Sequence, residues 1–78
     1  MATLELFGTA RCPHTQEMRD WLEFRRCVFV EYDVESDPMA LRRMRAIANG
    51  QRGVPLLVED GRVVQVGWQG RSCLVDIE

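Results

Sequence analysis

Cys12-Pro13-His14-Thr15 is the run of residues in this chain whose types and spacing suit chemistry: a thiol followed by a proline, where the extended stretch Thr3–Phe7 gives way to helical spacing. A sulfur there stands at the amino end of a helix, whose unpaired N–H groups and partial positive charge favour thiolate over thiol. That dipole is worth about 0.3–2 kcal/mol, so it alone lowers a thiol from about 8.5 to about 7–8. Further activation requires hydrogen bonds from first-turn amides and from the Thr15 hydroxyl, three residues on; otherwise Thr15 is simply a helix-start residue. Thr15 also stands where a Cys-x-x-Cys pair would carry its second thiol, so no disulfide closes within the motif.

The neighbouring candidates each carry two readings. Arg11 adds positive charge beside the sulfur or meets a substrate carboxylate, or else it only solvates itself. His14, the single histidine, is expected to face solvent on the first turn, with proton donation as the sharper alternative. Cys27 reads as a small buried hydrophobe and as inert. Cys73 is either a spare thiol or, where the segment after Gly70 approaches the site, a resolving thiol. No metal ligation is expected, because no second histidine or closely spaced cysteine pair stands nearby.

These residues must be held by a scaffold, and hydrophobic spacing outlines it. Thr3–Phe7 reads as a strand and Pro13 as the first residue of a helix reaching about Arg26, with Met18, Trp21, Leu22 and Arg25 at helical intervals. Val28–Val34 alternates as a strand with one exposed face, and its acidic residues suit a sheet edge. Asp37-Pro38 caps a second helix carrying Leu41, Met44, Ile47 and Ala48, stopped by Asn49-Gly50. Pro55–Glu59 and Arg62–Val66 flank Asp60-Gly61, a two-residue hairpin turn. Residues 67–78 hold at most a short helix. The order strand, helix, strand, helix, strand, strand (βαβαββ) makes the first two strands parallel and the last two antiparallel. The expected product is an α/β fold: a mixed four-stranded sheet of order 2-1-3-4 flanked by helices.

The totals bound the function. Seventy-eight residues make one domain, 1–78, with a modest core. A net charge of -2 gives no reason to expect nucleic acid or an anionic membrane as partner. Three widely spaced cysteines are unlike a secreted disulfide framework. The N-terminus lacks a basic region and a long apolar run. A soluble, monomeric, cytoplasmic protein is therefore expected.

Taken together, these residues resemble the glutaredoxins of the thioredoxin fold over nearly the whole chain. Cys12-Pro13-His14-Thr15 matches the active-site tetrapeptide with its last cysteine lost. Gly50-Gln51-Arg52-Gly53-Val54-Pro55 is similar to the loop in which a Val-Pro bond lies cis beside the active sulfur, and Gly67 opens the segment that usually reads Gly-Gly. The ending Trp68-Gln69-Gly70-Arg71-Ser72-Cys73 further resembles the glutaredoxin-like proteins called UXX-star, in which selenocysteine often occupies the position of Cys12.

The resemblance implies a monothiol course: the Cys12 thiolate attacks a glutathione mixed disulfide, and a second glutathione, as co-substrate, regenerates it. It implies that the backbone of Val54, set by a cis bond to Pro55, pairs with the cysteinyl part of glutathione. Gln51 and Arg52 address its glycine carboxylate or merely punctuate the loop. Gly67 and Trp68 border the groove, or Trp68 fills the end of a thin core. The chain departs from the family pattern at Thr9, where lysine is frequent, and at Trp68-Gln69, where glycine and then cysteine or serine before aspartate help hold the γ-glutamyl end. Two other functions stay open. One is an iron–sulfur cluster held with glutathione, against which Pro13 counts, since cluster carriers more often have glycine there. The other is a redox-inert domain binding extended peptides in the same groove.

Overall fold

The computed structural model describes residues 3–75. Along them run β1 (Leu4–Gly8), α1 (Pro13–Phe24), β2 (Phe29–Asp33), α2 (Pro38–Ala48), β3 (Gly53–Val54), β4 (Leu56–Glu59), β5 (Arg62–Val66) and β6 (Cys73–Leu74). The main sheet has the order β2-β1-β4-β5, which is the expected 2-1-3-4 once the two-residue β3 is set aside. β1 is parallel to β2 and antiparallel to β4, and β4 is antiparallel to β5.

The central strands are buried on both faces, and alternation along them sends neighbours to opposite layers. Phe7, Leu56 and Val58 join Val34, Ala40 and Met44 on the α2 side. Leu6 and Leu57 join Met18 and Leu22 on the α1 side. The two helices thus cover opposite faces of one sheet. Glu5 shares the α2 face; it is only 5% exposed and is paired with Arg43 of α2 at 2.7 Å.

Local chemistry sets the element ends. The Asp37 side chain accepts from the N–H groups of Met39 and Ala40, and Asn49 takes the left-handed conformation that closes α2. Asp60 and Gly61 both have positive φ, at 52° and 82°, as the hairpin turn demands. Helix α1 ends at Phe24 rather than Arg26. Arg26, at φ 58°, donates to Glu23 O and Cys27 to Leu22 O, which is the Schellman arrangement.

The alternation expected over Val28–Val34 holds only at its C-terminal end. Val34 is buried, while Val28 is 83% and Val30 49% exposed. On this edge strand Tyr32 and Val34, but not Val28 or Val30, pack with the α2-side cluster. The end of the chain also differs in kind. Trp68 and Arg71 exchange backbone hydrogen bonds across Gln69-Gly70, and the chain returns as β6 antiparallel to β3; residues 76–78, part of the segment expected to hold at most a short helix, lie outside the described residues.

Candidate active site

Cys12 is the N-cap of α1, with extended backbone (φ -86°, ψ 114°) and Pro13 at the first helical position. The loop from β1 is closed by Cys12 N–H donating to Thr9 O at 3.3 Å. Inserting a rigid proline after the thiol starts the helix at once, because the missing N–H would have had no partner there. The sulfur therefore lies at the positive end of α1, as expected from the motif.

A second backbone segment meets it. The Val54–Pro55 bond is cis, and Val54 O lies 3.9 Å from Cys12 Sγ. β6 lies beside β3 in the register Gly53↔Leu74 and Val54↔Cys73, reinforced by Val75 N–H donating to Arg52 O at 2.9 Å. That register carries Cys73 to Cys12: the two form a disulfide with Cα atoms 6.1 Å apart, at a sequence separation of 61. The bond buries Cys12 to 2% exposure. Cys12 belongs to the α2-side core cluster, with Phe7, Val34, Val54 and Val75.

The other candidates are placed as follows. Thr15 is fully buried, and its Oγ1 has no hydrogen-bond partner among the described residues; a disulfide sulfur carries no charge for it to stabilise, and Cys12 makes no side-chain cap. The Arg11 guanidinium pairs with Glu35, with Nε 3.3 Å from Oε1. That carboxylate raises the Arg11 pKa through its hydrogen bond and its charge. Glu35 is a residue that the sequence did not single out, and no local pattern links two positions 24 apart. His14 Nδ1 lies 3.1 Å from Glu17 Oε1 on the first turn. Cys27 is half-buried, is a free thiol and packs on the α1-side cluster.

Two clefts divide the remaining residues. A small one, about 180 Å³, lies beside the disulfide and is lined by Thr9, Arg11, Cys12, Glu35, Cys73 and Leu74. A larger one, about 540 Å³, is lined by Arg42, Arg45, Ala46, Gly50, Gln51 and Arg52. Gln51 and Arg52 thus flank β3 without bordering the sulfurs. Cys12 and Cys73 both line the smaller cleft. Gly67 N–H donates to Pro55 O at 2.7 Å, and at φ +78° a β-carbon on Gly67 would lie 2.6 Å from Arg71 O, so the turn into β6 requires glycine. The Trp68 ring packs on the α1-side cluster with its centroid 5.6 Å from that of Trp21. It does not line the cleft beside the sulfurs. Among the described residues, no three His, Cys, Asp or Glu side chains gather in a way that could hold a metal ion.

This arrangement can do one kind of chemistry well: a sulfur at a helix start, a strand edge beside it and a second sulfur on a segment paired to that edge can exchange disulfides. Comparison with known proteins agrees. The glutaredoxin family model matches residues 4–64. A curated relative, an uncharacterized glutaredoxin-like 8.6 kDa protein in the rubredoxin operon of Clostridium pasteurianum, is 26% identical over 61 residues, covering 78% of this chain and 80% of that protein. Crystal structures of the thioredoxin-like protein BC3987 and of a point mutant of it superpose with TM-scores of 0.74 and 0.75 at 27% identity. They cover 85% of this chain and 88% and 82% of the respective structures.

Proposed function

Because this chain belongs to the glutaredoxin family, we propose that it is a thiol–disulfide oxidoreductase using two thiols, Cys12 to attack and Cys73 to resolve. The observation that carries this reading is the pairing of β6 with β3, which sets Cys73 opposite Val54 and joins it to Cys12. This reading is preferred to the one-thiol course that the family resemblance implies. The second thiol is supplied from the other end of the chain.

In the reduced protein the Cys12 thiolate attacks one sulfur of a substrate disulfide, forming a mixed disulfide and expelling the other sulfur as thiolate. Cys73 thiolate then attacks Cys12 Sγ, the Cys12–Cys73 bond forms, and the second substrate sulfur leaves and takes up a proton. Two electrons pass from the protein dithiol to the substrate. Glutathione is the co-substrate: two molecules reopen the protein disulfide and leave as oxidised glutathione. Gln51 and Arg52 flank β3 and meet the glycine carboxylate as glutathione approaches. The Thr15 hydroxyl, with no partner in the oxidised state, is the group available to donate to the Cys12 thiolate once the bond opens.

The test is mass spectrometry of the reduced protein after brief exposure to oxidised glutathione. The wild type is expected to end as an internal Cys12–Cys73 disulfide, and Cys73→Ser as a single glutathione adduct on Cys12. An adduct carried by Cys27 with Cys12 unmodified would overturn the proposal.

A further inference from the structure

β6 has the side-chain pattern of a strand docked on a groove. Cys73 turns inward to Cys12, Leu74 is 75% exposed, and Val75 is buried to 4%. The Val75 side chain belongs to the α2-side core with Val34, Met44 and Val54, and it borders a cleft whose other walls are Arg11, Val34, Glu35 and Leu41. A segment of two paired residues is held in place by one sulfur and one aliphatic anchor, two positions apart, on the same face.

We infer that Ser72–Val75 occupies the chain's own substrate groove, and that this groove takes extended polypeptide segments carrying an aliphatic residue two positions after their cysteine. The inference rests on the exchange reading of Cys12. An incoming strand that presents its cysteine to Cys12 must lie along β3, the edge that β6 now fills, and must place its cysteine opposite Val54 as Cys73 does. Its residue two positions on then enters the site that Val75 fills. Substrate and β6 cannot be docked together, so release of the substrate and return of Cys73 are one strand exchange. In it the Cys12–substrate disulfide breaks, the Cys12–Cys73 disulfide forms, and the substrate departs as a thiol. Glutathione ends one residue after its cysteine and cannot fill the Val75 site, so it serves the groove as reductant and not as the selected strand.

The experiment uses the full chain as Cys73→Ser, which keeps Cys12 and removes the internal thiol that competes for it; β6 itself stays, so a probe enters the groove only by displacing it. Three probes carry the same thionitrobenzoate leaving group on their cysteine: the capped tetrapeptide Ser-Cys-Leu-Val, the same peptide ending in Asp, and glutathione. The rate of thionitrobenzoate release is followed for each. Burying a valine side chain is worth at least about 1.4 kcal/mol, a factor of ten. The Val peptide is expected to react at least about tenfold faster than either other probe. Oxidised wild type is expected not to react with any of them through Cys12. Equal rates for the three probes would overturn the groove assignment and leave the exchange chemistry standing. No reaction at Cys12 with any probe would remove both.

Discussion

Thr15 lies against the bare Cα of Gly8: a β-carbon there would stand 2.3 Å from Thr15 Cγ2 and 2.6 Å from Oγ1. This close approach seats the first turn of α1 on the end of β1, and Cys12 is the N-cap of that turn. Gly8→Ala is therefore expected to cost about 1–3 kcal/mol by overpacking. Adding Thr15→Ala should recover part of the loss, because only the Thr15 Cβ, 3.0 Å away, would remain in conflict. Urea unfolding of both single variants and the double variant measures the coupling; simple additivity would show that the two residues do not bear on each other.

The buried Thr15 hydroxyl separates stability from reactivity. An unpartnered buried polar group costs about 1–3 kcal/mol. Thr15→Val should accordingly stabilise the oxidised protein by about 1 kcal/mol. In the reduced protein the same change is expected to slow alkylation of Cys12 at pH 6 several-fold, since the thiolate loses a donor. Alkylation at an unchanged rate would assign Thr15 to packing alone.

Reduction should weaken the fold markedly. A bridge between residues 61 apart restrains the unfolded chain by about 4 kcal/mol on the loop-entropy account. Cys73→Ser is expected to lose about 2–4 kcal/mol against oxidised wild type in denaturant unfolding and little against reduced wild type. A large difference between the two reduced proteins would mean that Cys73 contributes chiefly through packing.

Arg26 holds a left-handed backbone at the end of α1 at φ 58°. A side chain with a β-carbon is disfavoured there, so Arg26→Gly should gain up to about 1 kcal/mol. For a domain of this size that is a rise of roughly 4–8 °C in Tm. A lower Tm would show that the Arg26 side chain makes up for its backbone.

The main sheet, both helices and the hairpin are legible in the sequence because each is written in local terms. Asp37-Pro38 and Asn49-Gly50 bracket α2, Asp60-Gly61 turns the hairpin, and the Cys12-Pro13 step starts α1. Such signals act within a few residues and survive without tertiary context. They fail where burial depends on what covers a strand, as at exposed Val28 and Val30.

What the sequence by itself determined is the thiol at a helix start and the pairing order of the long strands; the nearness of Val54–Pro55 to that thiol came only as what the family resemblance implies. Only the tertiary structure decided the partner of Cys12, the occupant of the β3 edge and the side of the sheet that Trp68 joins. The reason is physical. Pairing β6 with β3 depends on the positive-φ turn at Gly67, on the Trp68–Arg71 backbone exchange and on a socket for Val75. Val34, Met44 and Val54 come from three separate stretches of chain, and they form that socket only after the sheet and α2 have assembled.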